Sequence, residues 1–219
     1  MGARHGADGR PVVRGERAAV AQVLKSSAEI SGRVRALGRN IAARYAGCDR
    51  PPLAIGVLKG STLFLADLLR AIPMEVTVDF MSISSYDNAG APSGIVRILK
   101  DLEEDIGGRD VLIVEDIVDT GLTLNYLRRT LTERGPRSLE TVTLLDKRAR
   151  RIVPVPLEHT GFEVPDVFVI GYGLDFQGLY RNLSGLMAVT DIARLSANPR
   201  LLLDSATHTL AGRGDSFGP

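Results

Sequence analysis

An α/β fold, with a central, mostly parallel sheet flanked by helices, is the architecture that the sequence predicts. Apolar runs such as Leu53–Leu58 and residues 111–114 lack polar alternation, as strands covered on both faces do. Strand-like and helix-like stretches alternate along the chain, which favours crossover units over an all-β arrangement. At 219 residues the chain suits one compact domain with modest appendages.

Each element has a local reason. Residues 1–17, rich in Gly and Arg and without periodicity, are expected to be a disordered segment ahead of a single domain at 18–196. Ser26 followed by Glu29 fits a capping box, after which Ile30, Val34, Leu37 and Ile41 recur at helical spacing up to Tyr45. Gly47, Pro51 and Pro52 end that helix. Leu53–Leu58 reads as a strand and 61–72 as its crossover helix, with Leu63, Leu65, Leu68 and Leu69 supplying apolar surface. Val76, Val78 and Phe80 suggest a second strand and residues 95–99 its return. The polar segment 84–94 between them is too long and hydrophilic for a tight hairpin, so the pair resembles a long hairpin with a mobile tip. After Gly107-Gly108 come a strand from Val111, a helix from about Gly121 to Arg134 and a strand at 139–145. Residues 148–164 carry prolines and glycines with little period and are expected to wrap the surface. Residues 167–170 read as a short strand, followed by a turn at 171–175. The tail at 197–219 suggests no role.

Bulk numbers narrow the function. The 27 basic and 26 acidic residues nearly cancel, so net charge argues for neither a nucleic acid nor a membrane surface. A single cysteine, Cys48, excludes an intramolecular disulfide framework and a Cys-based zinc site, which fits a reducing compartment. No long apolar segment or secretory leader is evident, so a cytoplasmic location is expected.

The most informative stretch is Val111-Leu-Ile-Val-Glu-Asp-Ile-Val-Asp-Thr-Gly-Leu-Thr-Leu124. Its apolar run leads to Glu115 and Asp116 at the carboxyl end of a strand, where open α/β sheets place ligands. Residues 119–123 then open a helix, so backbone N–H groups and the hydroxyls of Thr120 and Thr123 suit a phosphate monoester. Acids beside a phosphate cradle suggest a sugar phosphate, its hydroxyls held by carboxylates or by hydrated magnesium. A receiver-type domain would not require the Thr-Gly-Leu-Thr opening, and no Gly-Lys-Ser/Thr marks a P-loop. Leu58-Lys-Gly-Ser61 also joins a strand to a helix, with Lys59 adding charge to an anion-facing turn. In Asp146-Lys-Arg-Ala-Arg-Arg151, Arg148 to Arg151 read as a solvated basic face.

The long run resembles the phosphoribosyl-diphosphate signature of the type I phosphoribosyltransferases. Over roughly residues 25–190 the chain is similar to their 6-oxopurine branch. The resemblance implies a sheet with a small hood and a flexible active-site loop carrying Ser85 and Tyr86. It also implies transfer of phosphoribosyl from phosphoribosyl diphosphate to N9 of hypoxanthine or guanine, giving IMP or GMP. Leu58, Lys59 and Gly60 would form the pyrophosphate loop, with a cis peptide between Leu58 and Lys59, and Arg181 would reach the same group. Thr120, Gly121, Leu122 and Thr123 would anchor the 5′-phosphate. Leu122 departs from forms with a basic residue there, so amides and hydroxyls would carry that task. Glu115 and Asp116 would hold the ribose hydroxyls directly or through magnesium, and Asp119 would act at purine N7. Ile117, Lys147, Phe168, Val169 and Asp175 would surround the base: Lys147 at O6, Phe168 by stacking and Val169 through its main chain. Asp175 would also be a ligand of Mg2+. A homodimer or homotetramer is implied. Rivals are a pyrimidine or xanthine phosphoribosyltransferase, and a regulatory protein of this fold that binds nucleic acid, for which the balanced charge gives no support.

Overall fold

The unbroken apolar runs become the central strands of a six-stranded sheet. The computed structural model describes residues 19–88 and 91–202, so the expected disordered segment 1–17, the hairpin tip and most of the tail (203–219) lie outside the described residues. In chain order the elements are β1 (Ala21–Lys25), α1 (Ser27–Arg44), β2 (Leu53–Leu58), α2 (Thr62–Ala71), β3 (Thr77–Asn88), β4 (Ala91–Lys100) and β5 (Asp110–Val118). There follow α3 (Leu122–Thr132), β6 (Ser138–Asp146), a 3₁₀ turn (Arg148–Arg150), β7 (His159–Glu163), β8 (Phe168–Ile170), β9 (Leu186–Val189) and α4 (Ile192–Ala197).

The large sheet has the order β4-β3-β2-β5-β6-β7. All its neighbours are parallel except β3 and β4. Successive residues of β2 and β5 point to opposite faces, and both faces are covered. Leu53, Ile55, Val57, Val111 and Ile113 pack with Leu124, Leu127 and Leu131 of α3. Ala54, Leu112 and Val114 pack with Ile30, Val34, Leu37 and Ile41 of α1 and with Phe64, Leu65 and Leu68 of α2. Burying each of the larger side chains stabilises the fold by roughly 1.5–3 kcal/mol. That two-sided cover is why the strands read as continuous apolar runs.

Helix α1 opens with the expected capping box: Glu29 N–H donates to Ser26 Oγ at 3.3 Å, and Ser26 N–H donates to the Glu29 carboxylate at 2.9 Å. In α2 the buried apolar residues are Phe64, Leu65 and Leu68, while Leu63 faces outward.

The structure sharpens two readings and changes one. Within the segment 84–94 the described residues extend the expected long hairpin: β3 and β4 pair as far as Asn88 and Ala91, with two register shifts. Polarity reports what covers a strand, whereas pairing needs only backbone groups. The stretch 148–164 does not merely wrap the surface, because its His159–Glu163 portion pairs in parallel with β6 as an edge strand. It has too little apolar content to be read as a strand. Finally, β8, the expected short strand, lies outside the main sheet. It forms an antiparallel three-stranded sheet, β1-β9-β8, which is the small hood. Beyond β9, Leu195 and Leu202 are buried against this sheet with Val20, Ile170 and Val189.

Candidate active site

Because β2, β5 and β6 run parallel, their carboxyl ends share one edge of the sheet. That edge gathers the Leu58–Gly60 turn, the signature acids and Lys147. A pocket of about 210 Å³ opens there, lined by residues 115–121 with Val57, Ile83, Thr123 and Leu124. The expected phosphate-side residues Thr120, Gly121 and Thr123 and the expected base-side Ile117 therefore share one concavity. Gly121 stands at the N-cap of α3 with a φ of 85°.

Glu115 and Asp116 lie slightly inside the strand rather than beyond it, since β5 continues to Val118 and Glu115 is paired with Thr143. Glu115 is only 6% exposed. Burial, reinforced by the neighbouring Asp116 charge, holds its pKa well above the usual carboxylate range. Asp116 is pushed up to about 6, chiefly by burial and also by Asp175; the Ile117 N–H, at 2.8 Å, and the Arg181 charge oppose that rise. A raised folded-state pKa gives stability that is present below the unfolded value near 3.8 and lost as pH rises through about 6. The ligand-free Asp116→Asn variant is therefore expected to be more stable than the parent above pH 6. Urea titrations from pH 4 to 8 should show that advantage vanishing towards pH 4, and a pH-independent difference would contradict the cause.

Asp119 sits where the loop leaves β5. Its Oδ1 is buried without a hydrogen-bond partner among the described residues. Its Oδ2 lies 3.9 Å from Lys147 Nζ and 3.6 Å from Arg150 Nη1. Lys147, buried at the end of β6, is fixed by its N–H donating to Val118 O at 3.0 Å.

On the other side of the pocket, the peptide between Leu58 and Lys59 is cis, as the resemblance implied. Lys59 is exposed. Gly60 lies so close to Asp116 that an added Cβ would fall 1.5 Å from Asp116 Oδ2. The turn after β8 packs against Gly60 through Gly173. Arg181 Nη1 donates to Gly173 O at 2.7 Å, and Arg181 Nη2 lies 2.5 Å from Asp175 Oδ1. Asp175 Oδ2 accepts from Gly178 N–H at 2.7 Å, and Tyr172 ties the turn to α2 by donating to Asp67 at 2.7 Å. Arg181 is thus built into the turn rather than being a stray surface charge.

Phe168 and Val169 belong to the hood. Val169 is buried, whereas Phe168 is 37% exposed and meets Phe176 edge to face at 5.8 Å, which leaves ring surface free for a ligand. Ser85 and Tyr86 fall on the backbone of β3, and their side chains lie outside the described residues.

The sequence reading missed Arg151. Read as part of a solvated face, its side chain is only 15% exposed and it pairs with the Asp146 carboxylate beneath the pocket. Only its place after Lys147 could have distinguished it from Arg148 and Arg150. A second cleft of similar volume, lined by Ser31, Arg35, Asp67 and Arg70, lies between α1 and α2 and gathers none of these groups.

Comparisons with known proteins agree with this geometry. A family model described as "Phosphoribosyl transferase domain" matches residues 27–177. The chain is 49% identical over 162 residues to the hypoxanthine phosphoribosyltransferase of Escherichia coli (strain K12), covering 74% of this chain and 91% of that one. It is 48% identical over 169 residues to the hypoxanthine-guanine phosphoribosyltransferase of Mycobacterium avium, covering 75% and 83% respectively. The crystal structure of a hypoxanthine phosphoribosyltransferase from Staphylococcus aureus superposes with a TM-score of 0.74 at 41% identity, covering 77% of this chain and 91% of that one.

Proposed function

The chain belongs to the phosphoribosyltransferase family, and on that premise we propose that it moves the 5-phosphoribosyl group from phosphoribosyl diphosphate to N9 of hypoxanthine or guanine. The products are IMP or GMP and pyrophosphate. The observation that carries this reading is Asp119, a partly exposed carboxylate in the pocket wall whose Oδ2 lies 3.9 Å from Lys147 Nζ. A carboxylate able to take a proton beside a cation able to donate to a carbonyl matches the N7 and O6 edge of a 6-oxopurine.

In the reaction the bond from the anomeric carbon to pyrophosphate breaks and the bond to purine N9 forms. Asp119 accepts the proton that the base gives up. Lys147 stabilises charge shifted onto O6. Backbone groups and hydroxyls of residues 120–123 fix the 5′-phosphate, and Glu115 and Asp116 orient the ribose hydroxyls. Lys59 and Arg181 offset charge on the departing pyrophosphate, Phe168 stacks on the base, and Val169 reads its edge by main-chain contacts. Ser85 and Tyr86 cover the site in the closed state, where excluding water protects a ribocation-like centre.

Glu115, Asp116 and Asp175 suit a magnesium ion. Their oxygens are hard donors; the Asp116 charge raises the cost of ionising Glu115, and the Asp175 charge that of Asp116, which a cation would relieve. Magnesium takes few protein carboxylates and completes its shell with waters and substrate phosphate oxygens, so these acids need not all ligate it at once. When bound, the ion supplies charge neutralisation at the pyrophosphate.

No helix among the described residues is long and apolar enough to cross a membrane. A cytoplasmic location accords with the charge balance and the single cysteine, and assembly as a homodimer or homotetramer rests on the family resemblance alone. The test is an assay of purified protein with magnesium and phosphoribosyl diphosphate against hypoxanthine, guanine and xanthine. Turnover of the first two is expected, and no turnover of either would overturn the assignment.

A further inference from the structure

We propose that Arg151 is a positioning residue for the 5′-phosphate loop, holding the loop's carbonyls away from the pocket so that its N–H groups face the ligand. The proposal rests on the phosphate role given above to residues 120–123.

Three consecutive carbonyls leave β5, and all three are satisfied by the connection that follows β6. Val118 O accepts from Lys147 N–H at 3.0 Å and from Arg151 Nη2 at 3.4 Å. Asp119 O accepts from Arg151 Nε at 3.1 Å. Thr120 O accepts from Ile152 N–H at 2.9 Å and Val153 N–H at 3.1 Å. A trans peptide is planar, with its C=O and N–H pointing in opposite directions. Carbonyls of 118–120 turned towards this strap therefore turn the N–H groups of Asp119, Thr120 and Gly121 the other way. Those three residues line the pocket, and successive N–H groups on one side of a turn make an anion-binding concavity.

Arg151 is the member of the strap that acts through a side chain. Its guanidinium pairs with Asp146, whose side chain is buried at the end of β6, so the planar fork is aimed before any ligand arrives. Asp146 immediately precedes Lys147. The same strap thus joins the lysine assigned to the base to the loop assigned to the phosphate. Asp119 O has only Arg151 as donor among its described hydrogen bonds, so the peptide unit carrying the Thr120 N–H is the one most exposed to loss of this side chain.

The experiment compares binding of inosine 5′-monophosphate with binding of inosine by calorimetry in the parent, Arg151→Gln and Arg151→Lys proteins, alongside steady-state kinetics. In the parent the nucleotide should bind more tightly than the nucleoside. In Arg151→Gln that ratio is expected to fall about tenfold, as for loss of a charge-assisted hydrogen bond. KM for phosphoribosyl diphosphate should rise by a similar factor, with kcat at saturation changing less than about threefold. Arg151→Lys keeps the charge but not the fork, so its loss should be smaller. It also carries the test should circular dichroism show that the glutamine variant does not fold. A folded variant with an unchanged nucleotide-to-nucleoside ratio overturns the proposal, as does equal loss for nucleotide and nucleoside. A parent that turns over hypoxanthine yet shows no preference for the nucleotide overturns the phosphate role itself; a parent with neither property overturns the functional reading.

Discussion

Asp119→Asn is expected to lower turnover by about 10²–10⁴-fold while shifting either KM only a few-fold. Asparagine is nearly isosteric, so the loop that leaves β5 has no steric reason to move. What is lost is the capacity of a pocket-lining carboxylate to take a proton, together with the negative charge that Lys147 and Arg150 approach at 3.9 and 3.6 Å. Without that charge Lys147 loses its carboxylate neighbour, while Arg150 keeps Asp166 at 3.6 Å, and the unbalanced lysine adds to the loss of proton acceptance. Steady-state kinetics with hypoxanthine across pH would measure both effects. Turnover within threefold of the parent would remove Asp119 from the chemistry.

The second large effect is expected at Gly173. An added Cβ there would lie 2.0 Å from Gly60 O, and the residue has a φ of 100°, where side chains are strained. Both obstacles are backbone, so no rotamer change relieves them. Overpacking and dihedral strain together place the cost of Gly173→Ala at about 3 kcal/mol or more. For a chain of this size that corresponds to a fall in Tm of roughly 6–12 °C. Relief can come only by moving Gly60, which has no spare room against Asp116, so turnover should fall as well. Gly178 is the control: its φ of 82° is similar, but nothing lies within 4 Å of its would-be Cβ. Gly178→Ala should therefore cost only the dihedral strain, about 1 kcal/mol. Equal melting temperatures for the two variants would show that the Gly60–Gly173 contact is not a constraint.

The parts of the molecule legible in the sequence are those whose burial leaves a local trace. β2 and β5 are covered on both faces and so appear as uninterrupted apolar runs, and α1 announces its start through Ser26 and Glu29. β1, β7 and β9 leave weaker traces. Each is four or five residues long, and β1 owes its place to a partner some 165 residues away, a pairing that no window of sequence contains. The candidate site divides in the same way. Its signature residues are contiguous, and their chemistry follows from their order. Arg151 stands in a run of arginines that are identical in type and differ only in where the chain turns after Lys147. Its inward aim follows from the 3₁₀ turn at Arg148–Arg150 and from the buried Asp146, which only the fold supplies.

The hood is built from both ends of the described chain: Ala21 pairs with Val189, and β9 is the strand that holds β8 in place. Contacts so distant in sequence pay their loop-closure entropy late in folding. As the chain emerges from the ribosome, the five strands β2 to β6 and the phosphate loop they support are expected to consolidate before residues 186–189 exist to pair with anything. The nascent molecule would then be competent to grip a sugar phosphate while still lacking the surface against which a base must lie, so base recognition would be the last property it acquires.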